Sequence, residues 1–410
     1  MPPITPPSPP SPQVSPFRSL CTDCGISRSE DPKRCGRACQ FIRPDYPTLE
    51  MQAHGRSRQA AREHEAHFGV LQGMHRATLK TPSQGAQWTG ITTRLAERLL
   101  ETGTVDGVLT VKPDAADKWK PEPVLVTRAS DLAQCRGMRM GYAPLLSLLE
   151  PAIRNGVKRL AVIGIPCQVY ALRALERELG LEQLFVIGTP CSDNTTTENF
   201  HRFLSLLEPA PERITYLEFR ADYHVEIRYD DGRRRAIPFL QLPLSDLPPD
   251  FFPLTCKTCV DYTNTLADIT VGYMGGEGQQ WLLVRNVRGQ QMLDLLGDEI
   301  TLSQPGSAGR RAGAVRGFLQ NTLRAAGGLP LRKMPQWLRP VVGWLMPRIG
   351  PRGLEFARAR VEMKAIETVV HLRREQPARM KSMVPAHVWP LVHPYGLTPS
   401  ESEMDTTNQD

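Results

Sequence analysis

Cys256 and Cys259 form a C-x2-C pair in the stretch TCKTCVDYTNTLADITVGYMGG, residues 255–276, ahead of a short apolar run that ends in Gly-Gly. Two thiolates two residues apart, mounted beside a strand, suit a metal ion or an iron–sulfur cluster, and either needs further ligands from elsewhere. A second group lies near the start of the chain. Cys21, Cys24, Cys35 and Cys39 are spaced C-x2-C-x10-C-x3-C, four thiols within nineteen residues. That stretch is too short and polar to build its own core, so a metal centre would have to hold it. Its opening and closing spacings match those of bacterial iron–sulfur ligand runs, although the middle gap is longer. Structural zinc is the rival reading.

The elements that position the remaining thiols show the clearest alternation in the chain. RLAVIGI (159–165) reads as a buried strand, 168–179 as a helix, LFVIG (184–188) as a second strand and 195–207 as a second helix. Asn194 or Thr195 is available as the N-cap of that second helix. Such a βαβα unit predicts parallel strands with a right-handed crossover. Cys167 lies just past the first strand and Cys191 just past the second, after Pro166 and Pro190. Both therefore emerge at one carboxyl edge, where α/β sheets place their ligands. Each alone reads equally well as a buried structural cysteine; at matched positions the pair favours ligands.

Upstream, Gln84-Gly85-Ala86-Gln87-Trp88-Thr89-Gly90 feeds a helix that Gly103 should cap, followed by a strand at 106–111. A Gly-bounded loop at a helix N-terminus can receive a phosphate through free N–H groups, a weak signal by itself. Residues 136–142 form a Gly-spaced loop carrying Arg136 and Arg139, followed by a helix at 145–155. Downstream, 214–239 reads as an antiparallel meander, with Asp222, Tyr223 and His224 at its first turn and Asp-Asp-Gly at 230–232. WLLVRN (281–286) reads as another strand. From about Leu302 the chain turns Gly/Pro/Arg-rich and ends in two helical pieces, apolar at 337–346 and amphipathic at 353–373. The apolar piece is too short to span a bilayer; it reads as a packed helix, with a membrane-surface or subunit contact as the alternative.

These elements predict an α/β fold: a parallel-sheet βαβ core, an antiparallel meander, an N-terminal iron–sulfur segment and a helical C-terminal region. The expected divisions are a Pro-rich disordered tail at 1–17, the cysteine segment at 18–60, the α/β core at 61–300, the helical region at 301–397 and a disordered tail at 398–410. The 410 residues are 40% hydrophobic and 23% charged, with a net charge of +7. That charge admits nucleic acid, an anionic membrane or an acidic protein as partner, or solubility alone. No nucleic-acid-binding signature accompanies it, so none is expected as partner. No window of eighteen apolar residues predicts a transmembrane helix, and the N-terminus has the features of neither a signal nor a transit peptide. The expected compartment is the cytoplasm, where cysteines are ligands or redox groups rather than disulfides. His54, His64, His67 and His75 match no ligand pattern and read as scattered surface residues.

The nine cysteines divide into a local four (21, 24, 35, 39), a dispersed four (167, 191, 256, 259) and Cys135. Four plus four satisfies two cubane clusters, and two zinc sites equally. The position of the second set at a ligand-binding edge favours electron transfer, and a flavin is the usual converter from one-electron supply to two-electron chemistry.

GIPCQVYALR (164–173), GTPCSDNTTTENF (188–200), RADYHVEI (220–227) and TCKTCVDYTNTLADITVGYMG (255–275) resemble the family of deazaflavin-dependent hydrogenase beta subunits. Within it they are most similar to the ferredoxin-dependent branch that reduces the 8-vinyl group of divinyl chlorophyllide in photosynthetic bacteria. The branch that reduces 7-hydroxymethyl chlorophyll a is similar over the same span, roughly residues 18–370. The resemblance implies an oxidoreductase of chlorophyll and bacteriochlorophyll biosynthesis carrying FAD and two 4Fe–4S clusters, with reduced ferredoxin as donor. Its ligand pattern falls on Cys21, Cys24, Cys35, Cys39, Cys167, Cys191, Cys256 and Cys259, with no counterpart for Cys135. Flavin contacts are expected at Gln84, Gly85, Gln87, Trp88 and Thr89, and in the loops after the strands at Asn194, Thr195 and Thr196. Arg136 or Arg139 would pair the pigment's carboxylate, and Asp222, Tyr223, His224 or Tyr262 would supply a proton. Peripheral membrane contact and self-association are both admitted. Outside this reading stand a non-catalytic electron-transfer subunit and a zinc-held nucleic-acid-binding scaffold.

Overall fold

The computed structural model describes residues 21–220, 222–273, 279–329 and 333–404. The expected tail at 1–17 lies outside them. The chain divides into two units.

The first unit takes in Met1–Cys191, Thr263–Gly272 and Gln280–Gln304. Its strands are β1 (Gly73–Leu79), β2 (Gly107–Pro113), β3 (Pro121–Val126), β4 (Arg159–Gly164) and β5 (Gln183–Gly188). The second unit, taken up below, contributes β6 (Ile214–Phe219), β7 (His224–Tyr229) and β8 (Arg234–Pro238). The first sheet is completed by β9 (Ile269–Tyr273), β10 (Gln280–Val284) and β11 (Ile300–Ser303), in the order β11-β1-β10-β9-β5-β4-β2-β3. The strands β2, β4, β5 and β9 run parallel, with Arg159 opposite Gln183, Gly164 opposite Gly188 and Ile187 opposite Ile269. The parallel core expected from sequence is thus present, inside a larger mixed sheet: β1 pairs antiparallel with β10 and β11, and β3 with β2.

Helices of this unit include α1 (Tyr46–His54), α2 (Ile91–Glu101) and α3 (Pro166–Leu175). Helix α2 stops as predicted: Gly103 turns left-handed at φ 65, and the N–H groups of Gly103 and Thr104 close back on Leu100 and Leu99. Its apolar face, Leu95 and Leu99, packs with Val108, Phe185, Ile187 and Leu282 in the core. Beneath the parallel strands lies a fully buried Asp268. Its carboxylate accepts from Arg173 (2.7 Å), Asn286 (2.6 Å), Arg288 (3.0 Å) and the Val186 N–H (2.7 Å). Burial alone would raise its pKa, but Arg173 and Arg288 hold it below the usual carboxylate range. His54 joins this network, Nε2 2.9 Å from Thr265 O and Nδ1 3.2 Å from Asn286, and burial lowers its pKa to about 3. It is therefore not one of the scattered surface histidines that the sequence suggested.

The second unit spans Ser192–Tyr262, Tyr273–Gln279 and Pro305–Asp410. It holds α4 (Thr197–Leu207), the antiparallel sheet β6-β7-β8, and, after α5 (Val287–Asp294) of the first unit, the helices α6 (Arg311–Ala325), α7 (Leu338–Ile349) and α8 (Leu354–Glu375). The N-cap of α4 is Thr196, whose hydroxyl accepts from the Asn199 N–H at 3.2 Å, one residue beyond Thr195 and two beyond Asn194, the caps expected. Helix α8 reads as amphipathic in sequence but is buried nearly all round, with Lys364, Glu367, Thr368 and His371 enclosed alongside Ala365, Ile366 and Val369. Of the expected C-terminal tail, Glu401–Glu403 forms a turn whose Glu403 pairs with Arg373 at 2.8 Å.

Candidate functional site

The N-terminal thiols are neighbours on the first unit. Gly25, at φ 105, lies so close to Pro144 and Ser147 that a Cβ would sit 2.5 Å from Ser147 N. This close approach, and the Leu146 N–H donating to Cys24 O (2.9 Å), fix the first C-x2-C against the chain around residue 146. Ion pairs of Arg34 with Glu150 (2.8 Å) and of Arg37 with Glu178 (2.9 Å) hold the stretch around Cys35 and Cys39. Burial pushes up the thiols of Cys24 and Cys35, and that of Cys39 to about 11; Cys21 and its neighbours in the set add repulsion. Opposing this, N–H groups point at sulfur: Asp23 to Cys21 (3.3 Å), Ile26 to Cys24, Phe41 and Ile42 to Cys39. Backbone donors aimed at several sulfurs favour thiolates and are the surroundings an iron–sulfur cluster uses. Among the described residues no three His, Cys, Asp or Glu side chains stand in metal-holding geometry. The four thiols with their N–H donors are the donor chemistry that such a centre takes.

The parallel register places Cys167 and Cys191 where the sequence predicted, past the ends of the neighbouring strands β4 and β5. Cys167 enters the first turn of α3 behind Pro166 at N1. Its sulfur accepts from the Thr22 hydroxyl at 3.7 Å, which brings it beside the N-terminal thiols. Asn264, at φ 58, ties the two strand ends together by donating to Gly164 O (2.8 Å) and Thr189 O (3.2 Å). Cys191 lies in the first unit, whereas Cys256 and Cys259 lie in the second. Cys135 is partly buried against the sheet core.

The two upstream loops meet on the first unit. Arg136 donates to Gln84 O (3.2 Å) and pairs with the buried Glu97 of α2 (2.7 Å). Arg139 is turned onto its own loop, donating to Met138 O (2.8 Å) and Arg136 O (3.0 Å), and burial lowers its pKa. In the loop between β1 and α2, Gly85 and Trp88 both have positive φ, and Gln87 O accepts from Gly90 N at 3.1 Å. The hydroxyl of Thr89 accepts from Leu79 N and donates to Gln280, each at 3.1 Å. The loop is thus bound to β1 and β10 on one side and to Arg136 on the other.

In the second unit Cys256 sits on the one-turn helix Leu254–Lys257, and its sulfur accepts from the Asn194 N–H at 3.4 Å. Thr195 is buried, its hydroxyl bonded to Phe251 O. Burial, reinforced by Asp193, pushes up the Cys256 thiol, and burial takes that of Cys259 to about 11. Around this pair are residues the motif reading passed over. Lys364 of α8 donates to Cys256 O (2.7 Å), Asp193 (3.0 Å) and Glu367 (2.7 Å), and Thr368 donates to Cys259 O (3.2 Å). Burial opposes the Lys364 charge, but Asp193 and Glu367 outweigh it and raise its pKa; burial takes Glu367 up to about 7. Arg360 bonds the Ser192 hydroxyl and stands 5.5 Å from the ring centre of the buried Tyr262. Arg360, Lys364, Thr368 and His371 recur every three or four residues along α8. That polar stripe was the available signal.

The turn between β6 and β7 uses its side chains locally. Asp222 pairs with Arg220 (2.7 Å) and accepts from His224 N (3.2 Å), and His224 Nδ1 is 3.0 Å from Asp222 O. Tyr223, at φ 66, donates to Pro351 O and packs edge-on against Phe356 at 5.4 Å. Burial pushes its phenol up, so it stays protonated at neutral pH.

Comparison with known proteins gives a consistent result. Residues 74–150 match the N-terminal part, and 157–306 the C-terminal part, of the coenzyme F420 hydrogenase/dehydrogenase beta subunit. An uncharacterized protein of Nostoc sp. is 37% identical over 93% of this chain and 95% of its own. The chloroplastic 7-hydroxymethyl chlorophyll a reductase of Oryza sativa is 34% identical over 93% of this chain and 84% of its own. The beta subunit of the coenzyme F420 hydrogenase of Methanosarcina barkeri is 27% identical over 53% of this chain and 75% of its own. In fold, a chain of the F420-reducing [NiFe] hydrogenase complex from Methanosarcina barkeri superposes with a TM-score of 0.51 at 21% identity, covering 57% of this chain and 82% of that one.

Proposed function

The chain belongs to the family of the coenzyme F420 hydrogenase/dehydrogenase beta subunit, and from that premise we propose that it is a ferredoxin-dependent reductase of a chlorophyll-type pigment. The carrying observation is the 34% identity to a chlorophyll reductase along 93% of this chain. An oxidoreductase is the class that the family supports. The reaction proposed is reduction of the C8 vinyl group of divinyl (proto)chlorophyllide to ethyl. Two reduced ferredoxins each give up one electron, two protons enter, and CH=CH2 becomes CH2–CH3. The GIPCQ (164–168) and TTTENF (195–200) motifs favour this substrate. A second reading, reduction of 7-hydroxymethyl chlorophyll a, draws on the named activity of the rice relative.

Two 4Fe–4S clusters and FAD, when bound, would relay single electrons and deliver them as a pair. Cys21, Cys24, Cys35, Cys39, Cys167, Cys191, Cys256 and Cys259 would supply the cluster ligands. The Thr22–Cys167 contact leaves room for exchange of a ligand between the two sets. In the first unit, the loop at Gln84–Thr89 would line the flavin, and Arg136, joined to it through Gln84 O, or Arg139 would pair the pigment's carboxylate. Asp222, Tyr223, His224 or Tyr262 would supply the proton; the Tyr223 hydroxyl is held on Pro351 O.

The test is an anaerobic preparation assayed for iron, sulfide, zinc and flavin, then supplied with reduced ferredoxin and each pigment. About eight irons and one FAD per chain are expected, with an ethyl product from divinyl chlorophyllide. Turnover of the hydroxymethyl pigment alone would select the second reading. A colourless protein holding zinc without flavin would overturn both.

A further inference from the structure

Helix α7 is built with two different faces. Its inner side carries the buried Gly343, which faces the turn Phe239–Gln241 at ordinary contact distance: a Cβ there would lie 3.5 Å from both Gln241 and Pro238. Its outer side is a stripe at helical spacing of Trp337, Val341, Trp344 and Arg348. Trp337 is 74% exposed, Trp344 58% and Val341 49%, and Ile349 flanks them at 54%. Large apolar side chains are seldom left this open together, and two indoles on one stripe are costlier still. The Arg348 guanidinium lies over the Trp344 ring at 4.2 Å, which leaves a cation at the edge of the apolar face.

The segment of sequence that bears this helix is one-sided in charge, with Arg311 paired to Glu355 and Glu362 beyond it. Between residues 300 and 354 the sequence holds nine Arg or Lys and no Asp or Glu, against +7 for the whole chain. The rest of the chain therefore carries a slight negative charge, and the basicity of the protein resides in the segment that bears α7. Arg310, Arg316, Arg324, Lys333 and Arg348 are exposed. Two copies of such a segment meeting face to face would repel each other, which disfavours a symmetric self-contact.

From this combination we infer that α7 docks the protein on an anionic lipid surface. Indoles prefer the boundary between acyl chains and headgroups, the aliphatic residues enter the acyl edge, and the basic segment is drawn to acidic headgroups. The helix has twelve residues, too few to span the hydrocarbon core, so the contact is with one leaflet. Helix α7 turns its Gly343 side to the protein and offers the other.

The test is sedimentation of the full-length holoprotein with vesicles of phosphatidylcholine alone and of equal parts phosphatidylcholine and phosphatidylglycerol, with Trp337→Ser/Trp344→Ser beside it. The expected results are binding to the mixed vesicles that weakens as salt is raised, and about a tenfold loss of partitioning in the double variant. The variant should keep the circular dichroism and unfolding midpoint of the parent, since both indoles lie outside the core. Equal binding of parent and variant, or salt-independent binding to neutral vesicles, would overturn the inference. So would a failure to bind vesicles together with a self-association that the variant abolishes, because the face would then serve a second copy. Saturable capture of an acidic protein without vesicle binding would overturn it likewise. None of these readouts depends on the pigment reaction.

Discussion

Lys364 is the side chain on which most depends around the C-x2-C pair of the second unit. Its ammonium is 3% exposed and is shared by Asp193, Glu367 and the Cys256 carbonyl. Removing it would leave the buried Glu367 and the half-buried Asp193 without this cation. Lys364→Met is expected to cost about 3–5 kcal/mol of stability, read as a fall in the urea midpoint. The double change Lys364→Met/Glu367→Leu should recover part of that loss, because one stranded charge goes with its partner; a double variant as weak as the single would show that the loss comes from elsewhere. The eight ligand candidates could be read from spacing, because cysteine in a reducing compartment has few other uses. The buried charges around them could not: Asp193 lies inside a motif without standing out, and Lys364 is more than one hundred residues from the thiols it supports. Arg136 shows the same limit. Its partner Glu97 reads as an ordinary charged residue on an exposed helix face, yet it is 7% exposed.

At the scale of elements, local signals were dependable where they are local in cause. Apolar runs marked β4 and β5, whereas α3, expected at 168–179, spans Pro166–Leu175: Pro166 opens it because a missing N–H costs nothing at that position. The cap of α4 slipped by two residues from Asn194 because three Thr follow it and any could accept from the first turn. Thr196→Ala is expected to lower stability by about 1 kcal/mol through loss of the bond its hydroxyl accepts from Asn199 N, read as a fall in the denaturant midpoint; lost flavin at unchanged stability would instead mark Thr196 as a cofactor contact alone. Gly188 illustrates what no local signal carries. A Cβ there would stand 2.6 Å from Ala267 and 2.7 Å from the Asn264 amide that ties the two strand ends. Gly188→Ala should therefore cost about 1–3 kcal/mol, and the measurement is again the denaturant midpoint, with thiol accessibility at Cys191 rising in parallel.

At the scale of the whole molecule, the chain leaves the first unit at Ser192, re-enters at Thr263 and contributes Gln280–Gln304 after a further break. A sequence read in order suggests one α/β core from 61 to 300, because composition does not change where the chain crosses between units. Strand β1 was the element least legible in advance: it pairs with β10 and β11, some two hundred residues away, and such pairing leaves no periodic trace. The N-terminal segment presents the opposite case. It has few apolar residues, and between Cys21 and Cys39 only Ile26 and Ala38 are buried hydrophobics. Packing can contribute little there, so the proposed metal centre would have to supply the rest. Iron chelation under anaerobic conditions should therefore loosen residues 21–43 first. Hydrogen exchange would show fast labelling of that stretch while β4, β5 and β9 stay protected by the Asp268 network. Uniform loss of protection across the first unit would mean that the centre supports the sheet as well. No change in 21–43 would mean that the ion pairs of Arg34 and Arg37 suffice, and that the four thiols are held without a metal.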